Sequence, residues 1–298
     1  MQQVKIFLLS RFTGGLLGSA IAAEYPHIFP LFAPWEMIQD CAIATLLQTG
    51  KLATQDWLKQ IEKRDICLLE KQKTATSSEV AAMILPLILF FHDLPNHLKI
   101  ELTRTASLWL HPEESLAEIL LWGEAIALIL REQANMTQFL PDLATHHPPC
   151  ADILNLMQES RDRRLSLKQT VNMLSDRRPG AKEIALALYC FSFTPEDLPL
   201  CLHRALQLTQ QAPLTAILTG AIAGVYNSSI SVPSSWCLSA SRQQTLQQGK
   251  LFFSAWSGCY SPNFGDRLVD NAIGGAGTLQ PRKGFTTISQ RESTSRSL

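Results

Sequence analysis

The sequence predicts an all-α fold, and three observations support this prediction. Apolar residues recur at helical spacing along most of the chain, most clearly in "TPEDLPLCLHRALQLTQ", residues 194–210. Alternating β-branched runs bounded by turn residues are nearly absent. Hydrophobic residues make up 46% of the 298 residues and charged residues only 17%, which indicates a chain that can bury a sizeable core.

Two apolar segments in the N-terminal third are predicted to be ordinary helices. The start, "MQQVKIFLLSRFTGGLLGSAIAA", has features of a secretory signal, but Arg11 interrupts its apolar region after five residues. The run "VAAMILPLILFF", residues 80–91, is 12 residues long, whereas a membrane span needs about 20. We therefore predict a first helix, a buried core helix with a kink at Pro86, and no membrane partner.

Proline and capping residues suggest where further helices begin. Thr194 is predicted to be an N-cap with Pro195 at the first helical position. Pro112 is predicted to open the apolar helix "HPEESLAEILLWGEAIALILRE". Other helices are predicted over 56–64, 78–91, 95–110, 149–159 and 180–191.

The domain organisation follows from composition. No convincing linker precedes residue 257, so we predict one domain over residues 1–256. From Ser257 the sequence lacks helical periodicity and is rich in Gly, Ser and Thr. A flexible tail is therefore expected over residues 257–298.

Charge and cysteine usage restrict the partners and the compartment. Lys plus Arg and Asp plus Glu number 26 each, so there is no electrostatic argument for nucleic acid or for an anionic membrane surface. The cysteines are odd in number and scattered, form no CxxC, and mostly lie in apolar runs. We expect reduced thiols and a cytoplasmic location. The seven positions are Cys41, Cys67, Cys150, Cys190, Cys201, Cys237 and Cys259.

Clusters of reactive residues have ordinary explanations. "THHPPC", residues 145–150, offers two imidazoles and a thiol, but a zinc site would need another ligand pair at recognisable spacing. A surface loop between helices is the preferred interpretation. In "FHDLPNH", residues 91–97, we expect a helix end with Asp93 as a cap. No GxSxG, no Walker-type loop and no GxGxxG after a strand occurs.

Four segments, in this order, resemble the ADP-ribosylglycohydrolase family, which includes the dinitrogenase reductase-activating glycohydrolases. "GGLLGSAIA" resembles the family's opening GxxxGDAxG helix, and "APWEMIQDCAIATLL" stands where the family has TDDTxM and a helix. "TASLWLHPEESLAEILLWGEAIALIL" resembles its central segment. "GAIAGVYNSSISVPSSW" resembles the signature that follows GDxDT. The resemblance spans about residues 10–240.

The resemblance implies a fold, an activity and a cofactor. The fold is a single orthogonal multi-helix domain, and the activity is hydrolysis that removes ADP-ribose from a modified protein or small molecule. Family members bind two magnesium ions through the TDDT and GDxDT motifs. This chain departs from the family at those motifs. The aligned positions, which lack carboxylates, are Ser19, Phe32, Ala33, Pro34, Trp35, Gln211, Pro213 and Leu214.

The missing ligands lead us to predict that the metal site is lost. Two dications close together need several carboxylates, because uncompensated charge in a partly buried site is costly. We therefore expect no metal cofactor and no catalytic residues of the family type. Apolar side chains are expected to fill the former metal cavity. Gly220 and Gly224, four residues apart, are expected to let another backbone approach closely.

Three functions remain open after this comparison. The leading hypothesis is a non-catalytic family member that acts as a binding or scaffold module for an unidentified protein partner. The second is a hydrolase that works without the usual metals, with Glu24 and Asp40 as the acid/base candidates. The third is a sensor that binds ADP-ribose or a nucleotide sugar, which would need basic residues or helix N-termini in the cleft. A different alignment of the motifs would make Glu24, Asp40 and Asp93 the nearest possible ligands.

Overall fold

A computed structural model describes residues 8–24, 34–65, 72–208 and 214–258. In these ranges there is no strand beyond one isolated bridge between Ala75 and Leu110, so the all-α prediction is confirmed. The helices are α1 (Leu8–Ala23), α2 (Pro34–Thr49), α3 (Thr54–Arg64), α4 (Ser77–Met83), α5 (Leu85–Phe91), α6 (Pro95–Trp109), α7 (Leu116–Leu130), α8 (Phe139–His146), α9 (Ala151–Asp162), α10 (Leu167–Asn172), α11 (Pro179–Phe193), α12 (Leu198–Leu206), α13 (Leu214–Asn227) and α14 (Ala240–Trp256).

Helices α1 and α13 form a very close pair at the centre of the fold. Gly14 on α1 faces Gly224 on α13, and a Cβ added to Gly224 would lie 2.0 Å from the carbonyl oxygen of Gly14. The second pair, Gly18 and Gly220, lies four residues along each helix and therefore on the same face. Any residue with a Cβ would collide with the backbone of the facing helix, so only glycine permits such a close approach. The predicted close approach at Gly220 and Gly224 is confirmed.

Helix α14 packs across α1 through an aromatic cluster. The ring of Phe12 lies 6.1 Å from Phe252, 5.3 Å from Phe253 and 5.5 Å from Trp256, measured between ring centroids. One turn before the cluster, Gly249 is so close to α1 that an added Cβ would lie 2.7 Å from Cγ2 of Thr13. Helix α14 was not predicted from the sequence. Its N-terminal half, "ASRQQTLQQ", carries too few apolar residues to show helical periodicity.

The kink expected in the long apolar segment is a break between two helices. Helix α4 ends at Met83, Ile84 lies between the helices, and Pro86 stands in the first turn of α5. At that position the missing N–H of proline removes no helical hydrogen bond from α5. Every residue of α5 is buried, as expected for a core helix.

Two of the predicted helix starts are wrong. Helix α11 continues to Phe193 with Thr194 as its C-cap, and the N-cap of α12 is Asp197, which accepts a hydrogen bond from the amide of Leu200. The helix expected to begin at Pro112 begins four residues later, at Leu116, and Ser115 is its N-cap. In both segments the side chain that caps the helix lies three residues after the expected start.

The residues after α5 also differ from the prediction. Asp93 does not cap α6, whose N-cap is Leu94 without a side-chain hydrogen bond. Instead its carboxylate accepts a hydrogen bond of 3.5 Å from the indole of Trp256 on α14. Asp93 therefore helps to hold α14 against the core.

The described cysteines are free thiols, and four of them are buried, as the sequence analysis expected. Burial raises the pKa of Cys150 and of Cys201 to about 11, so both remain protonated near neutral pH. Cys67 and Cys259 lie outside the described residues.

No helix in the described ranges is long and apolar enough to cross a membrane. The helix predicted at the N-terminus is present as α1. Apart from residues 257 and 258, the predicted tail lies outside the described residues.

Candidate functional site

A small cavity lies where α1, α2, α13 and α14 meet. Ser19 on α1, Trp35 on α2, Ile217 on α13 and Gln248 on α14 contribute to its lining. Two positions that the family resemblance assigns to the metal site, Ser19 and Trp35, are thus brought to one place. The cavity volume is about 30 Å³, which leaves room for a few water molecules at most.

Three of the aligned site residues are buried. Ser19, Trp35 and Leu214 are each 5% exposed. Pro34 is the first residue of α2. Leu214 begins α13 one turn before Ile217, but it is not among the residues that line the cavity. The remaining aligned positions, Phe32, Ala33, Gln211 and Pro213, lie outside the described residues.

A buried carboxylate holds the start of α13. The amide of Leu214 donates a hydrogen bond of 3.2 Å to Oε1 of Glu183 on α11, and the hydroxyl of Ser78 on α4 donates to its Oε2. Burial raises the pKa of Glu183, and these two hydrogen bonds oppose that shift. Glu183 therefore ties three helices together beside the segment that the resemblance assigns to the second metal motif. Sequence analysis missed it because Ser78 and Leu214 are far from it in the chain.

The first acid/base candidate, Glu24, links α1 to α14. Its carboxylate lies 2.8 Å from Nε of Arg242 and accepts a hydrogen bond of 2.5 Å from the hydroxyl of Ser241. The negative charge of Glu24 is thus compensated by a side chain of α14.

The second candidate, Asp40, lines the cavity and is also paired. Its Oδ2 lies 3.3 Å from Nη1 of Arg64 on α3, and its Oδ1 accepts a hydrogen bond of 2.9 Å from the amide of Gln248 on α14. Neither Glu24 nor Asp40 is therefore a free carboxylate poised for proton transfer.

A third carboxylate at the cavity, Glu36, was not singled out by the sequence analysis. The pKa of Glu36 is raised, first by partial burial and then by the neighbouring carboxylates of Asp40 and Glu24, although the residue as a whole is exposed. Glu36 and Asp40 are four residues apart on α2 and so share a face of the helix. That spacing is the signal in the sequence that could have identified Glu36.

The side chains at the cavity do not fit a centre with two magnesium ions. Magnesium requires hard oxygen ligands, usually carboxylates, in near-octahedral geometry. The indole of Trp35 offers no oxygen, and Ser19 offers a neutral one. The lining has two carboxylates, Glu36 and Asp40, and Asp40 is engaged by Arg64. In the described ranges no group of three or more His, Cys, Asp or Glu side chains is arranged to hold a metal ion.

The loop "THHPPC" does join two helices, as predicted. Helix α8 ends at His146, a short 3₁₀ helix spans Pro148–Cys150, and α9 follows. The loop is more than a solvated connection, because both histidines lie against Glu124 on α7.

Comparison with known proteins gives the family. The model of the ADP-ribosylglycohydrolase family matches residues 36–261, which is most of the chain. The protein therefore belongs to the ADP-ribosylglycohydrolase family. The matched range begins inside α2, so the part of the expected resemblance before residue 36, including Ser19 and residues 32–35, lies outside it.

The fold agrees with this assignment. A solved structure of an "ADP-ribosylglycohydrolase-related protein complex" matches with a TM-score of 0.58 and 15% sequence identity, covering 81% of this chain and 96% of that chain. At this identity the likeness shows the fold alone, and it confirms the predicted fold class. No curated protein sequence matches significantly.

Proposed function

We propose that this protein is a non-catalytic member of the ADP-ribosylglycohydrolase family that acts as a binding or scaffold module for a protein partner. The observation that carries the proposal is the small volume of the cavity lined by Ser19 and Trp35. Its volume of about 30 Å³ is an order of magnitude below the roughly 300–1,000 Å³ of clefts that bind small organic molecules. ADP-ribose does not fit there.

The charges around the cavity support the same proposal. Several carboxylates near a binuclear centre would be compensated by the metal ions. Here Arg242 pairs with Glu24 and Arg64 pairs with Asp40. The protein thus supplies positive charge to two of the three carboxylates at this place, and Glu36 is the third.

A hydrolase is the alternative, and membership of a family of glycohydrolases favours it. Catalysis at this cavity would need Glu24 or Asp40 as the acid/base. Both are bound to side chains of α14, Arg242 and Gln248, so α14 would have to move away from α1 and α2 before a substrate could enter.

A sensor of ADP-ribose has less support. Recognition of a pyrophosphate needs cations or exposed helix N-termini. Among the described residues that line the cavity there is no lysine and no arginine.

The proposal is tested by thermal unfolding with and without Mg²⁺ or Mn²⁺, combined with an assay for release of ADP-ribose from modified arginine and serine substrates. A ligand that binds only the folded state stabilises it by RT ln(1 + [L]/Kd), about 2.7 kcal/mol at a hundredfold excess over Kd. For a domain of this size that corresponds to a shift of several degrees, at roughly 2–4 °C per kcal/mol.

We expect no metal-dependent shift and no release of ADP-ribose. An active member of the same family, assayed in parallel, provides the positive control. A saturable metal-dependent stabilisation together with release of ADP-ribose would refute the proposal and support the hydrolase.

A further inference from the structure

A second and much larger cavity lies on another part of the protein, between α6, α7 and the end of α8. Its volume is about 290 Å³, roughly ten times that of the first cavity. Leu98 and Leu102 from α6 and Ala127 from α7 form an apolar floor, and all three are buried. A cavity of this size and lining matches the clefts that hold small organic molecules.

Two cationic side chains, Lys99 and Arg131, line this cavity. In the described part of the chain, neither Lys99 on α6 nor Arg131 after α7 forms an ion pair. Nη1 of Arg131 donates a hydrogen bond of 3.3 Å to the carbonyl of His92, which fixes the guanidinium. Its Nε is buried and lacks a hydrogen-bond partner among the described residues. Buried donors are normally satisfied, so the Nε–H of Arg131 is an unusual donor beside the cavity.

The carboxylate at the cavity is already engaged. Oε1 of Glu124 lies 3.3 Å from Nδ1 of His146, and its Oε2 lies 3.0 Å from Nε2 of His147. The hydrogen bond with His147 is the main reason why the pKa of Glu124 is lowered. Arg131 also contributes to the lowered pKa of Glu124 through its charge, but neither Lys99 nor Arg131 is in direct contact with this carboxylate. Two cations and one carboxylate therefore line the cavity, which leaves a net positive charge.

Two histidines and a carboxylate at one cavity raise the question of a metal ion. No group of three such side chains in the described ranges has an arrangement that could hold one. Each imidazole instead faces a different oxygen of Glu124. The positive charges at the rim favour an anion as the ligand.

We propose that this cavity binds a small organic anion, a carboxylate or a phosphate monoester carried on an apolar body. The anionic group lies at Lys99 and Arg131, and the apolar body covers Leu98, Leu102 and Ala127. This site is separate from the cavity at Ser19 and Trp35, so it stands whether or not the protein is catalytic.

The experiment uses the whole protein and four probes, with binding measured by calorimetry or by ligand-observed NMR. Phenyl phosphate and benzoate combine an anion with an aromatic body, whereas benzyl alcohol lacks the charge and inorganic phosphate lacks the apolar body. We expect the two aromatic anions to bind and the other two probes to bind much more weakly. Comparison of phenyl phosphate with benzoate shows which anionic group is preferred.

Three variants locate the binding site. Lys99 is exposed, so Lys99→Gln should fold normally and should weaken binding of the aromatic anions roughly tenfold, since a charge-assisted hydrogen bond is lost. Lys99→Glu should abolish binding. Lys63→Gln on α3 makes the same charge change on an exposed lysine outside this cavity and should bind as the unmodified protein does. Equal binding by the Lys99→Gln and Lys63→Gln proteins, equal binding of benzyl alcohol, or no binding of either aromatic anion would overturn the proposal.

Discussion

The backbones of Gly18 on α1 and Gly220 on α13 lie in direct contact. A Cβ added to Gly18 would lie 2.1 Å from the carbonyl oxygen of Gly220, and one added to Gly220 would lie 2.2 Å from that of Gly18. Because the obstacle is backbone on both sides, the two central helices would have to separate. We expect Gly18→Ala and Gly220→Ala each to lower the free energy of unfolding by about 3 kcal/mol or more, measured by denaturant unfolding.

Gly123→Ala on α7 is the matched control for these variants. A Cβ at Gly123 would lie 2.3 Å from Cδ1 of Leu102, the end of a side chain that can rotate. Alanine also favours a helix over glycine by about 1 kcal/mol, which offsets the repacking. We expect a loss of no more than about 1 kcal/mol. Equal losses at Gly123 and Gly18 would show that the contact between backbones is not the limiting feature.

The sequence predicted most of the fold because helical periodicity is a local property. The kink at Pro86 and the close approach at Gly220 follow from residues whose backbone chemistry is distinctive. The starts at Thr194 and Pro112 were wrong because several neighbouring residues could have capped each helix. Helix α14 was missed because its apolar residues crowd into its C-terminal half, where they pack on Phe12.

The candidate site was predictable only in part. The family resemblance selected Ser19 and Trp35, which the structure places at one cavity. The spacing of Glu36 and Asp40 was visible in the sequence but was not used. The contact between Glu183 and Ser78 joins residues more than 100 positions apart, and no local pattern reveals such a pair.

The buried carboxylate of Glu183 provides a second prediction. The isosteric amide in Glu183→Gln can still accept the hydrogen bond from the amide of Leu214 and can donate one to Ser78. It also removes a charge that burial destabilises, so we expect unchanged or increased stability near neutral pH. Glu183→Ala leaves both partners unsatisfied and should lower the free energy of unfolding by about 1–3 kcal/mol.

The pH dependence of stability separates the effect of the buried charge of Glu183 from the effect of its hydrogen bonds. Because its pKa is raised in the folded state, the folded protein binds a proton more readily than the unfolded chain does. Its contribution to stability therefore falls as the pH rises from the ordinary carboxyl value of 4.5 through the raised pKa. Denaturant unfolding at several pH values should show this slope in the unmodified protein and a shallower one in Glu183→Gln. Parallel slopes would contradict the prediction.

Glu124 should behave in the opposite way. The hydrogen bond with His147 lowers its pKa, so the folded protein keeps the carboxylate ionised while the unfolded chain takes up a proton. Its stabilisation is full above 4.5 and is lost as the pH falls through the lowered pKa. Because Glu124 is partly exposed, Glu124→Gln should cost only about 0.5–1 kcal/mol at about pH 6.

The measurement for Glu124 is the difference in unfolding free energy between the unmodified protein and Glu124→Gln as a function of pH. That difference should shrink towards zero as the pH falls below the lowered pKa, where the carboxylate is protonated in both states. A difference that stays constant throughout the acid range would mean that the contact with His147 does not depend on the charge of Glu124.

The small cavity at Ser19 leads to the last prediction. Ser19 is buried and lines the same cavity as Glu36 and Asp40, so Ser19→Asp places another carboxylate in a confined and already acidic space. An unpaired buried charge is costly, whereas Ser19→Asn adds nearly the same volume without the charge. We expect Ser19→Asp to be less stable than Ser19→Asn by about 2 kcal/mol or more in thermal or denaturant unfolding.

Magnesium then shows whether this cavity can still accept a cation. If it could, Mg²⁺ would compensate the new carboxylate and would raise the melting temperature of Ser19→Asp towards that of Ser19→Asn. We expect no such recovery with a millimolar excess of Mg²⁺, because Trp35, Ile217 and α14 occupy the space and Arg64 already engages Asp40. Recovery of Ser19→Asp but not of Ser19→Asn would mean that the cavity is a single ligand short of a metal site. The proposed loss of catalysis would then have to be abandoned, because one substitution would suffice to restore binding of a metal ion at this cavity.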